Sequence, residues 1–220
     1  MIILKGTNLS RVFHIAQQEQ VALSPVSVNV YRGELLIVTG PSGSGKSTLL
    51  NILGGLDRPT TGEVLYRDQS LKALDEPALA RLRNITFGFV LQSPHMLPDR
   101  TVLENVMLPF QYGSVMPGAD QYRRADELLE YVGLAELAER YPNTLSVGEL
   151  QRVVFARALV RDPEIILADE PTGSLDADNS GRLLALLEDQ ARRGRTIILV
   201  THDEKAMTIG ARHLQIDKYH

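Results

Sequence analysis

The sequence predicts an α/β fold: a mostly parallel sheet flanked by helices, with a small antiparallel β part near the N-terminus and an inserted helical subdomain. Three observations carry this reading. Leu35–Thr39, Ile165–Ala168 and Thr196–Thr201 are short, continuous apolar runs, the pattern of strands buried on both faces. Val26, Val28 and Val30 instead alternate with polar residues, which marks a half-buried antiparallel strand. From about Ser93 to Arg161 strand signals give way to apolar spacings of three and four, clearest in Tyr122–Tyr131 and Leu150–Val160.

Taken in order, the strand Leu35–Thr39 stops at Gly40, and Lys46–Leu53 reads as a helix that Gly54–Gly55 can end. Thr61–Gly62 reads as a turn before a short strand, Glu63–Tyr66, and Ile85–Leu91 as a further apolar strand. Pro94, Pro98, Pro109, Pro117 and Pro142 punctuate the helical middle. The core resumes at Ile165–Asp169, passes through a helix near Ala177–Arg193 and reaches the strand Thr196–Thr201. The 220 residues are therefore expected to form one domain, with 1–92 and 162–220 as the core and 93–161 as the helical subdomain.

Composition narrows the classes. Apolar residues make up 44% of the chain, enough for a buried core, and the formal charge of −4 gives no electrostatic footprint for nucleic acid. With no cysteine, disulfides and thiolate zinc sites are excluded. The N-terminal MIILKGTNLSRVF turns polar after four residues, unlike a signal peptide, and no window approaches the roughly 18 apolar residues needed to span a bilayer. Any membrane role is expected to come through a partner.

Gly40-Pro41-Ser42-Gly43-Ser44-Gly45-Lys46-Ser47-Thr48 fits G-x-x-x-x-G-K-[ST] between a strand and a helix. Glycines let the backbone curl so that successive N–H groups face phosphate oxygens, and the helix N-terminus adds partial positive charge. Lys46 is expected to neutralise the β- and γ-phosphates and the Ser47 hydroxyl to ligate Mg²⁺. The loop alone marks a nucleotide binder and leaves GTPase, kinase and ATPase open. Further on, the apolar strand Ile165–Ala168 ends in Asp169 and Glu170. Asp169 is placed to serve the Mg²⁺ shell and Glu170 to polarise water as general base.

The segment Leu145-Ser146-Val147-Gly148-Glu149-Leu150-Gln151-Arg152 reads first as a capped helix, with Ser146 at the N-cap and Glu149 three residues on. Such a helix start is also a second anion site. Placed between the phosphate loop and the acidic strand, LSVGELQR resembles the LSGGQ signature of ABC-transporter ATP-binding subunits. The resemblance extends over essentially the whole chain. Gln92 is similar to the family's Q-loop glutamine, Ser174-Leu175-Asp176 to its D-loop, and His202 in LVTHD to its switch histidine. Phe13 stands where the family has an adenine-stacking aromatic, usually Tyr, although its own residue pattern also suits a core position. The fold implied is the ABC ATPase fold, a P-loop NTPase core with the two added parts.

The resemblance implies a mechanism. Two subunits pair head-to-tail around two ATP molecules. Lys46, Ser47, Gln92, Asp169, Glu170 and His202 of one chain face Ser146, Gly148 and Glu149 of the other, Asp176 lies at the seam, and Mg²⁺ is held by Ser47, Gln92 and Asp169. Two departures stand out: Val147 replaces the first signature glycine, at a cost if that position needs a positive φ, and Glu149 replaces glutamine, free to fold back onto the cap.

Asn51–Gly62, Phe89–Gln92 and Leu103–Pro109 resemble the MacB/LolD branch of lipoprotein-release and macrolide-export ATPases, and LSVG resembles the related DevA-type exporters. That implies a separately encoded integral-membrane permease and a place on the cytoplasmic face of the membrane. Ser93–Phe110 is the implied docking surface; its His95, Met96 and Leu97 suit either that role or covering the subdomain's own core. A non-transport, FtsE-like ATPase signalling to a membrane partner is the alternative. Chromosome-structure ATPases need coiled coils or zinc modules, and translation-factor ABC proteins need two cassettes; neither fits this chain. About 18 residues follow His202, too few for the regulatory domain of some importer ATPases, and the tail Gln215–His220 lacks the usual aspartate-glycine turn.

Overall fold

The computed structural model describes residues 1–15, 18–112, 118–210 and 212–218, so Pro117 and the tail residues Tyr219 and His220 lie outside the described residues. Strands β1 (Ile2–Ile15) and β2 (Gln18–Tyr31) form a long antiparallel hairpin. Then follow β3 (Leu35–Thr39), α1 (Lys46–Leu53), β4 (Thr61–Tyr66), β5 (Gln69–Ser70), α2 (Glu76–Thr86) and β6 (Phe87–Leu91). The middle holds α3 (Val102–Gln111), α4 (Ala119–Tyr131) and α5 (Val147–Leu159). The chain continues through β7 (Ile165–Asp169), α6 (Ala177–Arg192), β8 (Thr196–Val200), α7 (Glu204–Ile209) and β9 (Arg212–Gln215). One sheet is antiparallel in the order β2-β1-β4-β5; the other is parallel in the order β6-β7-β8-β3-β9.

The apolar runs work as continuous strands because the parallel sheet is covered on both faces. Successive side chains point to opposite faces. Thus Ile165 and Leu167 enter a core shared with α1 and the hairpin, while Ile166 and Ala168 enter a second core shared with α3, α4, α5 and α6. Ile37 and Leu36 split the same way, as do Leu199 and Ile198. One sheet thereby binds the β part to one side and the helical part to the other.

Two boundaries differ from the sequence reading. Ile85 and Thr86 end α2 instead of opening β6. The Asp75 carboxylate caps that helix by accepting from the Ala78 N–H at 2.9 Å, Pro77 suits its first turn, and the helical bonds run on until Phe87 N–H reaches the Arg83 carbonyl. Ile85 is 53% exposed, so the apolar run Ile85–Leu91 is no single buried strand. Thr61 and Gly62 are already paired in β4, opposite Ser10 and Thr7–Asn8 of β1. Among the described residues, 93–161 contains helices and no strand.

Candidate functional site

The strand order sets the site. β6, β7, β8 and β3 are neighbours and parallel, so their carboxyl ends share one edge. Gln92 follows β6, Glu170 follows β7, His202 lies just beyond β8, and the loop Gly40–Gly45 leaves β3. Ligands of open α/β sheets bind outside that edge.

The loop is shaped by glycines that cannot be replaced. Gly45 has φ +96, and a Cβ there would lie 2.4 Å from the Ala22 carbonyl oxygen of β2. Gly43 has φ +77, a left-handed conformation that favours glycine, although a Cβ there would meet nothing within 4 Å. Ser42 is exposed and Thr48 half-buried beside the loop. Lys46 is buried, and its Nζ donates to the carbonyls of Gly40 and Pro41, both at 3.0 Å. Its ammonium is thus held inside the cradle by the loop's own oxygens.

Two polar atoms around this cradle are buried without a protein partner: Ser44 Oγ and Asp169 Oδ1. Such atoms are costly unless something else satisfies them. Burial pushes the Asp169 carboxyl above its ordinary range, the neighbouring Glu170 charge adds to this, and the Ser47 hydroxyl and Lys46 charge oppose it. A cation at Asp169 and phosphate oxygens at the loop would satisfy both orphans. Mg²⁺ is held through one or two carboxylates plus phosphate and water, and Asp169 offers such a carboxylate.

Glu170 has φ +43, an uncommon conformation for a side chain larger than glycine and one that costs about 1–3 kcal/mol. Its N–H donates to the Val200 carbonyl at 2.9 Å and its carbonyl accepts from Gly173 N–H at 3.1 Å, so the turn is fixed from both sides. The carboxylate Oε1 then lies 3.3 Å from His202 Nε2. Gln92 sits at the same turn: a Cβ on Gly173 would lie 3.2 Å from Gln92 Nε2 and 3.6 Å from Glu170 Oε2. The fold therefore gathers Lys46, Ser47, Gln92, Asp169, Glu170 and His202 along one edge.

The LSVGE segment forms the start of α5. Ser146 Oγ accepts from Glu149 N–H at 3.3 Å, and Glu149 Oε2 accepts from both Ser146 N–H and Ser146 Oγ at 2.7 Å. Glu149 thus folds back onto the cap, and these bonds hold its carboxyl below the usual range. Val147 carries no positive φ; it opens the helix and is 51% exposed, so the β-branched residue causes no backbone strain. The demanding position is Gly148, where a Cβ would lie 2.4 Å from Asn179 Cγ.

Asn179 joins two motifs that the sequence kept apart. Asp176 caps α6, accepting from Asn179 N–H and Asn179 Nδ2, both at 2.8 Å, while Asn179 Oδ1 accepts from Arg152 of α5 at 2.9 Å. A second tie is Gln151, fully buried, whose Nε2 donates to the Leu91 carbonyl at 2.9 Å, one residue before Gln92. Sequence reasoning assigned no role to Asn179, Arg152 or Gln151. The aspartate-x-x-asparagine capping pattern was a signal for Asn179; nothing local marks the other two.

Phe13 lies on β1, 38% exposed, with the Arg11 guanidinium 4.5 Å from its ring centroid. It is no core residue. In the 93–97 loop Met96 packs inward and Leu97 is exposed, while Arg157 donates to the carbonyls of Pro94 and His95 at 2.7 and 3.1 Å.

The glycine loop on a parallel sheet, with Asp169 and Glu170 at the adjoining strand end, defines the chain as a P-loop nucleotide-binding protein. The sequence pattern of the family described as ABC transporter matches residues 23–173, more than half the chain. An uncharacterized ABC transporter ATP-binding protein of Thermotoga maritima is 46% identical over 201 residues, 91% of this chain and 86% of that protein. The macrolide export ATP-binding/permease protein MacB of Marinobacter nauticus is 43% identical over 97% of this chain, which spans 33% of MacB. A dimeric structure of the cassette MJ0796, bound to ADP and Pi after hydrolysis, superposes with a TM-score of 0.90 at 38% identity, over 99% of this chain and 97% of that one. The chain belongs to the ABC transporter ATP-binding family.

Proposed function

We propose that this chain is the ATP-hydrolysing motor subunit of an ABC transport system, acting as a homodimer on a separately encoded membrane permease of the MacB/LolD type. One observation carries the catalytic part: Glu170, fixed at a positive φ, meets His202 at 3.3 Å beside the half-buried Asp169 and the Lys46 cradle. The loop N–H groups and Lys46 bind and orient the β- and γ-phosphates, with Lys46 exchanging its two loop carbonyls for phosphate oxygens. Ser47, Gln92 and Asp169 would hold Mg²⁺, which would supply charge neutralisation on the phosphates. Glu170 accepts the proton of the attacking water, and His202 steadies the Glu170 carboxylate and reaches toward the γ-phosphate. The work is positioning and electrostatics throughout. The test is phosphate release from Mg·ATP by the purified chain; no release above background, alone or with its membrane partner, refutes it.

The dimeric MJ0796 cassette supports a sandwich in which Ser146 and Gly148 of one copy approach the nucleotide of the other, with Asp176 near the seam. Glu149, held in the cap, serves this approach by fixing α5. Replacing Ser146 by Ala should lower stability by about 1 kcal/mol, read from urea unfolding. Because Glu149 titrates below its ordinary value in the fold, its contribution is present above the unfolded carboxylate pKa and fades as pH falls through the folded one. Melting temperature should therefore drop more between pH 7 and pH 4 in the native chain than in Glu149→Gln.

A permease partner is supported by a groove of about 370 Å³ between α2, β6, α3 and α5, flanked by the exposed Leu56 and Tyr112. It meets the Ser93–Phe110 segment at Leu108 and Pro109. No helix among the described residues is long and apolar enough to cross a membrane. The partner would place the chain on the cytoplasmic face. Its identity is open to capture from membranes and mass spectrometry; recovery of a division protein in place of an exporter permease would favour the FtsE-like reading.

Phe13 we assign to stacking on adenine. Phe13→Ala should weaken ATP and ADP alike, by up to about tenfold, as expected for one aromatic stack. Equal affinities before and after substitution, measured by calorimetry, would remove the assignment.

A further inference from the structure

We infer that Arg11 and Asp57 form a clamp that fixes the Phe13 ring and sets its position relative to the phosphate loop, making Arg11 a positioning residue for the nucleotide base. The inference rests on the assignment of Phe13 to the adenine.

Arg11 and Phe13 are two residues apart on β1, so their side chains share one face. The Arg11 Cζ stands 4.5 Å from the Phe13 centroid, well inside cation–π range. The guanidinium is itself held. Its Nε donates to Asp57 Oδ2 and its second nitrogen pairs with Asp57 Oδ1, both at 2.9 Å, the two-bond geometry that locks a planar group. Asp57 Oδ1 also accepts from Arg58 N–H at 2.7 Å. The side chains of Arg11 and Asp57 are only 25% and 29% exposed, so the pair is not a freely solvated one. A phenylalanine has no hydroxyl by which a hydrogen bond could orient it. The fixed guanidinium offers the ring a cation–π partner instead.

The same stretch is stitched at further points. Thr60 N–H donates to the Ser10 carbonyl at 2.7 Å, Val12 N–H donates to Thr60 Oγ1 at 3.0 Å, and Ser10 Oγ and Thr61 Oγ1 share a hydrogen bond of 2.7 Å. Asp57–Thr61 follows α1, the helix that the phosphate loop opens. The hairpin also presses on the other end of that helix, where Ala22 O occupies the space a Gly45 Cβ would need. The β1–β2 hairpin is therefore registered against both ends of α1, and Arg11–Asp57 is the side-chain tie that carries this register to Phe13. The Asp57 carboxylate neutralises the guanidinium, which leaves Arg11 suited to orienting a ring and not to binding phosphate.

The test compares Mg·ADP with Mg·pyrophosphate by calorimetry, in the full chain and its variants. A base-positioning residue changes the ratio of the two affinities; a residue that only stabilises the fold changes both together or neither. Arg11→Ala should weaken ADP by about threefold to tenfold and leave pyrophosphate unchanged. Asp57→Asn should do the same more weakly. Arg11→Lys, which keeps the charge and loses the planar fork, should fall between the native chain and Arg11→Ala. In Arg11→Ala/Phe13→Ala the loss should equal that of Phe13→Ala alone. If Phe13→Ala lowers ADP affinity selectively while Arg11→Ala and Asp57→Asn do not, the clamp is wrong and the adenine assignment stands. If Phe13→Ala leaves the ratio unchanged, the adenine assignment itself fails, and the clamp with it. Parallel losses of ADP and pyrophosphate in the Arg11 and Asp57 variants also overturn the clamp.

Discussion

Glu170→Gln should lower ATP turnover at least about 10²-fold, the scale of a lost general base, while nucleotide affinity stays near the native value. Glu170 faces His202 at 3.3 Å and lies at the turn closed by Gly173, where Gln92 also sits. None of its atoms shapes the phosphate loop. A glutamine is the same size and keeps the backbone turn at φ +43. What is lost is the ability to accept a proton. Steady phosphate release and equilibrium ATP binding separate the two effects. Turnover near the native rate would take Glu170 out of the base role and leave Asp169 or His202 to fill it.

Lys46→Ala should weaken Mg·ATP by about 10- to 100-fold, the equivalent of one or two charge-assisted hydrogen bonds. Its Nζ already spans the cradle, bonded to the carbonyls of Gly40 and Pro41. Removing the ammonium takes away the positive charge that the cradle offers the phosphates. The fold should survive, because Lys46 belongs to neither apolar core. Calorimetry with ATP gives the loss, and a melting curve confirms that the variant is folded. Unchanged binding would contradict the cradle reading.

How much of this was legible in the sequence follows from distance along the chain. β3 and β7 could be read because each is a continuous apolar run, and α5 because Ser146 and Glu149 stand at capping-box spacing. The fold-back of Glu149 is a local event and was legible too. The start of β6 was missed because Ile85 is apolar yet sits on the exposed side of α2, where hydrophobicity says nothing about strand pairing. The supposed cost of Val147 disappeared because it is the first residue of α5 and has an ordinary backbone. The ties that organise the site join residues far apart in sequence. Arg11 and Asp57 are 46 residues apart, Arg152 and Asn179 are 27, and Gln151 and Leu91 are 60. Each depends on which strands and helices become neighbours, and no local pattern encodes that. Gly148 illustrates the limit well: its requirement for glycine comes from Asn179 in another helix.

The central claim is a composite ATP site completed by a second copy of the chain. Sedimentation equilibrium of Glu170→Gln measures it directly, because blocked hydrolysis preserves the ATP-bound state. With Mg·ATP the species should have twice the mass of the 24.4 kDa chain, and with Mg·ADP or no nucleotide it should be monomeric. The same mass in all three conditions, with ATP binding confirmed, would contradict the account.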